Sequence, residues 1–234
     1  MSQGMKDQAG YAAQEGTAAH SVAEFYVRKH FDLPGLHRLP GGPQECPDQE
    51  VPAGLDLKGQ SAAAWNEQLR QHAKEYLAWI VSIIPPGEEH YASVEQKVSI
   101  KSISDNLWGT GDLFIWFPRL KIMMVIDYKY GFASVDVGTI EDTNPQLSAY
   151  AVASLDGKSL HATGGYVLAV YQPRRPMGIP AQMLVLPPDW EARERAKLRN
   201  EVAAVENPGA PRPGDHCRYC KGKPKCPAVQ NALS

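Results

Sequence analysis

Two apolar runs of strand length stand back to back in this chain, residues 113–117 and 120–126, with only Pro118 and Arg119 between them. Runs this short and this rich in aromatic and β-branched side chains predict strands, and the proline-containing gap predicts a tight hairpin. Each open end of that hairpin carries an acid. Gly109-Thr110-Gly111-Asp112 precedes the first run, and Asp127-Tyr128-Lys129 closes the second. Alternate side chains of a strand face opposite ways, so Asp127 and Lys129 are expected on one side and Tyr128 in the opposite layer. An in-register hairpin then sets Asp112 beside Asp127.

Two carboxylates so placed raise each other's pKa unless a cation lies between them. A hard divalent ion with oxygen ligands, Mg²⁺ or Mn²⁺, removes that repulsion, polarises a phosphoryl oxygen and activates water. Lys129 adds an ammonium to orient the water or to stabilise charge developing at phosphorus. These are the parts needed to hydrolyse a phosphodiester. An isolated Asp-x-Lys tripeptide is common, and solvated strand-end acids with a surface lysine are its ordinary reading.

The surrounding motifs change that balance. Asn144-Pro145 predicts a helix start, and residues 146–155 read as a helix with Gln146 and Tyr150 on one face, four apart. Upstream, His20 falls in a stretch with helical spacing from about Tyr11 to Phe31, with Thr17 as the expected N-cap and His20 in the first turn. In this order Gly109 to Asp112, Asp127 to Lys129 and Gln146-x-x-x-Tyr150 resemble the PD-(D/E)XK nuclease superfamily, and in particular its RecB-like branch, marked by a Q-x-x-x-Y helix. Glu15 to His20 is similar to the first helix of that branch.

The resemblance implies an α/β fold with a restriction-endonuclease-like core, a mixed β-sheet flanked by helices. It implies a metal-dependent DNA nuclease, an exonuclease by likeness to the branch, serving DNA recombination, repair or phage DNA metabolism. DNA as single strands or duplex ends is the implied partner, with helicases or recombination proteins as companions. By the same resemblance Asp112, Asp127, Lys129, Gln146 and Tyr150 form the catalytic set. His20 and the main-chain carbonyl of Tyr128 join Asp112 and Asp127 on Mg²⁺ or Mn²⁺. Glu24 shares the helical face of His20. Glu95 is either an additional acid near the metal, as related nucleases carry, or an exposed strand residue paired with Lys97 or Lys101.

The rest of the chain fits one α/β domain over residues 1–206, with a loop insertion rich in proline and glycine at about 32–57. Residues 61–84 predict an amphipathic helix whose core stripe includes Trp65, Leu69, His72, Tyr76, Trp79, Ile80 and Ile83. Residues 91–103 predict a strand with Val94, Gln96, Val98 and Ile100 on one face and Glu95, Lys97 and Ser99 on the other. Two further strands, at 164–171 and 182–186, flank Arg174 and Arg175, which mark either a solvated turn or a nucleic-acid backbone contact. A charged helix at 190–205 follows, capped by Asp189.

Residues 207–234 form a separate segment. Cys217, Cys220 and Cys226, with two and then five residues between them, favour a metal centre over disulfides in a chain expected to be cytoplasmic. They suit zinc or iron–sulfur, and they are similar to the cysteine triad of the iron–sulfur-stapled RecB-like nucleases, where a fourth cysteine ahead of the first-helix histidine completes a [4Fe-4S] cluster. No cysteine stands upstream of His20 here; the remaining one is Cys46, in the long loop. Either Cys46 is the fourth ligand, or the chain starts within that N-terminal segment and keeps three, or His216 completes a zinc site, or the thiols are structural.

The formal charge of −2 excludes holding DNA by bulk charge, so a nucleic-acid partner requires local basic patches and bound metal. No run reaches membrane-span length and no apolar signal core opens the chain. The alternative from another class is a non-catalytic DNA-binding or scaffold protein on a nuclease fold. Intact Asp112, Asp127 and Lys129 argue against it.

Overall fold

A computed structural model describes residues 10–33 and 45–207, together with positions 209, 212, 214, 217, 226 and 228. Two helices come first. Helix α1 (Tyr11–His30) starts at Gly10 and ends on Arg28, Lys29 and His30, cations that complement the negative end of its dipole. Thr17 is not its cap: the threonine lies mid-helix and donates its hydroxyl back to the Ala13 carbonyl at 3.1 Å. His20 therefore sits in the middle of α1, with helical turns on both sides of it. Helix α2 (Ala62–Ile83) is capped by Ser61, whose hydroxyl accepts the Ala64 N–H at 3.1 Å. It stops where Pro85 forces Ile84 into an extended conformation.

Five strands then form one sheet in the order β1-β2-β3-β4-β5. They are β1 (Tyr91–Ser99), β2 (Trp108–Phe117), β3 (Ile122–Tyr128), β4 (Gly165–Tyr171) and β5 (Ala181–Leu186). All neighbours pair antiparallel except β3 and β4, which are parallel. Parallel neighbours need a crossover, and helix α3 (Pro145–Leu155) supplies it. Helix α4 (Trp190–Glu206) ends the described fold. Asp189 stands at its start without a side-chain cap bond, its carboxylate lying 3.4 Å from Arg193. The result is a mixed, mostly antiparallel sheet flanked by four helices, the α/β architecture expected. Residues 34–44 of the expected insertion lie outside the described residues.

The hairpin register runs from Leu113 opposite Ile126 to Phe117 opposite Ile122. Its turn is longer than the two residues expected, spanning 118–121, with Lys121 at φ +53°. Each face of the sheet closes a core. On one side α1 and α2 cover Val94, Leu113, Ile115, Met124, Ile126 and Tyr128. On the other, α3 and α4 cover Val98, Ile100, Phe114, Val125, Leu168 and Val170.

Those memberships correct the simple alternation expected for residues 91–103. Val94 belongs to the α1/α2 side, but Val98 and Ile100 belong to the α3/α4 side. The strand changes face between them, and the residue at the change is Glu95, at φ +48°. Pairing is unshifted, with Val94 opposite Leu113 and Gln96 opposite Gly111, so no residue has been inserted. A left-handed glutamate costs on the order of 1–3 kcal/mol.

Candidate active site

Extending the registers by one position puts Glu95 opposite Asp112 on β2, and Asp112 opposite Asp127 on β3. Three acids thus form one row across three adjacent strands. Helix α1 crosses that row and presents His20, whose Nδ1 lies 3.6 Å from Asp112 Oδ1 and 3.9 Å from Glu95 Oε1. The other Asp112 oxygen accepts the Tyr128 N–H at 2.7 Å, which fixes the carboxylate and turns Oδ1 toward the imidazole.

Asp127 takes a different partner. Its two oxygens lie 3.0 and 2.8 Å from Lys129 Nζ. The same ammonium donates to Gln146 Oε1 at 3.0 Å, and Gln146 Nε2 donates to the Tyr150 hydroxyl at 3.2 Å. This relay is set up by the start of α3: Asn144 Oδ1 accepts the Gln146 and Leu147 N–H groups at 3.0 and 3.3 Å, and Pro145 occupies the first helical turn. Gln146 is thereby fixed one turn before Tyr150. The Tyr150 ring lies against Gly109, where an added Cβ would fall 2.6 Å from its Cε1. Tyr128 faces the opposite layer, packed on Tyr76 at 4.8 Å and parallel to Tyr171 at 6.2 Å, and so anchors the end of β3 between its two functional neighbours.

The charges explain one another. Burial, followed by the neighbouring Asp127 carboxylate, pushes the Asp112 carboxyl up to about 7. Burial likewise raises Asp127, against the opposing pull of Lys129. Burial, then Asp112 and Glu24, raises Glu95. Burial lowers His20 despite the nearby acids, so the imidazole is neutral at pH 7 with a lone pair to donate.

A neutral imidazole and two penalised carboxylates are donors that could hold a divalent cation. The chosen atoms of His20, Glu95 and Asp112 all lie within 4.8 Å of one another, and among the described residues they are the one such group of three. Two ligands of a single Mg²⁺ or Mn²⁺ stand at most about 4.2 Å apart, twice a bond of about 2.1 Å, so both separations from His20 fit. A cavity of about 10 Å³ opens beside them, lined by His20, Glu95, Asp112, Tyr76 and Tyr128, room for one water or ion. The buried Tyr76 hydroxyl, on the lining of that cavity, has no hydrogen-bond partner among the described residues. Asp127, expected as the second principal ligand, stands outside this group of three, in which Glu95 stands beside His20 and Asp112.

Sequence reasoning read Tyr76 as part of a core stripe, where it is buried, and left the part of Glu95 open. It misjudged Arg174. That side chain is neither solvated nor on a free surface. It makes a two-pronged ion pair with Glu15 of α1 at 2.9 and 2.8 Å, donates to the Tyr130 carbonyl at 2.7 Å, and stacks on the Tyr130 and Phe132 rings. Arg175 is bound to the Val135 carbonyl at 3.3 Å and lies 3.7 Å from Asp136. Glu24 is held by Arg28 at 2.6 Å.

Cys46 is buried in the α1/α2 core, and burial pushes its thiol up. Cys46, Cys217 and Cys226 do not form a ligand group, and Cys220 and His216 lie outside the described residues. No helix among the described residues is long and apolar enough to cross a membrane.

Fold and site together define a mixed-sheet α/β domain with an imidazole–carboxylate cluster at one end of its hairpin and a lysine relay beside it. A family model described as "Protein of unknown function (DUF2800)" matches residues 1–234, and the chain belongs to that family. No curated protein matches it. Among solved structures, one titled "Crystal structure of SSO0001" is a distant likeness: 12% identical, with a TM-score of 0.34, over 90% of this chain and 85% of that one.

Proposed function

We propose that this protein is a metal-dependent deoxyribonuclease that hydrolyses phosphodiester bonds, of the RecB-like PD-(D/E)XK type. The observation that carries the reading is the cross-strand row of Glu95, Asp112 and Asp127, met by His20 on one side and by Lys129, Gln146 and Tyr150 on the other. A divalent cation held by His20, Asp112 and Glu95 supplies Lewis acidity toward a phosphoryl oxygen and toward water.

The chain's own residues do the rest. Neutral His20 donates a nitrogen lone pair without adding positive charge. Lys129 carries its ammonium at the edge of the row, where it orients the attacking water and offsets negative charge gathering at phosphorus as the P–O bond to the leaving strand lengthens. Gln146, itself bonded to Tyr150, and Asp127 hold the ammonium in place. A second reading, a DNA-binding scaffold that retains the fold without turnover, draws on Asp127 being bound to Lys129 and standing outside the ligand group.

Incubating linear and circular DNA with the protein, with and without Mn²⁺, separates the two. Degradation should require Mn²⁺ and vanish in Asp127→Ala and Lys129→Ala while both variants keep a cooperative unfolding transition. Wild-type turnover in either variant refutes the assignment.

A further inference from the structure

Trp108 is the first residue of β2 and is 65% exposed, although the residue after it, Gly109, lies under the Tyr150 ring. The two neighbours therefore face opposite sides of the sheet, and among the described residues no helix covers the tryptophan. Pairing of Ser99 with Trp108 and of Lys97 with Thr110 puts Lys97 on the same face, diagonal to the indole. There the Lys97 ammonium stands 5.2 Å from the ring centroid, a cation–π contact that positions the lysine beside the flat ring. Thr110, two residues on, shares the face and is exposed, and Asp112 is two residues further. At about 3.3 Å per residue the indole lies about 13 Å along the strand from the acid.

A flat aromatic ring left in water, with a cation on the same face, suits one kind of ligand: an unpaired base stacked on the ring, with its phosphate near the ammonium. A paired base keeps its faces buried in its own stack and has little to offer an isolated indole. We infer that Trp108 and Lys97 form a subsite for an unpaired nucleotide of single-stranded DNA on the strand that leads into Asp112. This inference rests on the hydrolase reading for the identity of the polymer, but the binding it describes does not require catalysis.

The test measures binding of fluorescent (dT)12 and of a blunt 12-base-pair duplex to the full chain in EDTA, with Mn²⁺-dependent cleavage of (dT)12 measured in parallel. Trp108→Ala should weaken (dT)12 binding roughly tenfold or more, Trp108→Phe should retain most of it, and Lys97→Gln should reduce the dependence of affinity on salt. Duplex binding and cleavage at saturating (dT)12 should be unchanged in all three, and exposure of the indole means Trp108→Ala keeps the wild-type melting temperature. Unaltered (dT)12 binding in Trp108→Ala overturns the subsite, as does equal weakening for strand and duplex; in either case loss of cleavage in Asp127→Ala leaves the hydrolase standing. Conversely, Trp108-dependent binding by a wild-type protein that cleaves no DNA sustains the subsite and removes the hydrolase.

Discussion

Replacing Asp112 by asparagine separates what the carboxylate does for the fold from what it does for a cation. The amide keeps the shape and still accepts the Tyr128 N–H through its oxygen, while the charge that burial and Asp127 penalise is gone. The carboxyl sits at about 7 in the folded protein against an ordinary 3.8, so the folded state binds more protons than the unfolded one between those values. Stability therefore falls as the pH rises through that window, and the loss is complete above it. At about 1.4 kcal/mol per pH unit the ceiling is on the order of 4 kcal/mol. Asp127 carries part of that repulsion and the site relaxes, so about 2 kcal/mol is expected, or roughly 4–8 °C for a chain of this size. Thermal melts in EDTA should show Asp112→Asn more stable than wild type at pH 8, with the gain shrinking as the pH falls and gone near pH 4. Saturating Mn²⁺ at pH 8 should reverse the order, because an ion that binds only the folded wild type stabilises it by mass action. If the variant is no more stable at pH 8 without metal, or if Mn²⁺ raises both melting temperatures equally, the acids are not a charge-strained cation site.

Gly109→Ala should displace the Tyr150 ring, since the new Cβ would lie 2.6 Å from it; the relay through Gln146 to Lys129 loosens, and cleavage should fall at least tenfold with the melting temperature nearly unchanged. Tyr76→Phe removes a buried hydroxyl without a partner among the described residues and should stabilise by about 1 kcal/mol in urea unfolding. Glu15→Gln leaves Arg174 buried without its carboxylate and should cost about 3 kcal/mol; adding Arg174→Met should recover much of that loss, as a double-mutant cycle in urea would measure.

The hairpin, the crossover helix and the acids at the hairpin's open ends were legible because each follows from short-range rules. Apolar runs of strand length pair, Asn-Pro starts a helix, and alternation sends Asp127 and Lys129 one way and Tyr128 the other. Glu95 was not legible in the same way. Regular alternation sets it opposite to Val94, which packs under α1 and α2, and only a positive φ, which no sequence rule gives to a glutamate, lets both face that side and brings Glu95 to His20. Arg174 was misread for a related reason: proline-flanked arginines after a strand look solvated, and the partner that buries this one, Glu15, lies 159 residues away. Tyr76 carries no local mark at all, since its hydroxyl differs from its apolar neighbours on α2 only by what β1 to β3 bring above it.

The acid cluster gathers costs that the described fold elsewhere keeps apart, its other left-handed non-glycine residues, Asp32, Lys58 and Lys121, lying in turns. Glu95 holds a left-handed backbone where glycine or asparagine would relax. Like charges stand opposite one another across β1, β2 and β3, the cross-strand arrangement that destabilises a sheet. Burial then deprives Asp112 and Asp127 of most of the water that would screen them, and Glu95 of part of it. Regular alternation would have sent Glu95 to the α3/α4 side, away from His20, and so relieved both the dihedral and the repulsion. The strand instead turns at that residue, bringing the Glu95 carboxylate within 3.9 Å of the imidazole, beside the cavity. Strain and charge repulsion that coincide at one residue, at the point where its carboxylate meets His20 and Asp112, are the physical ground for reading this corner of the sheet as a metal site.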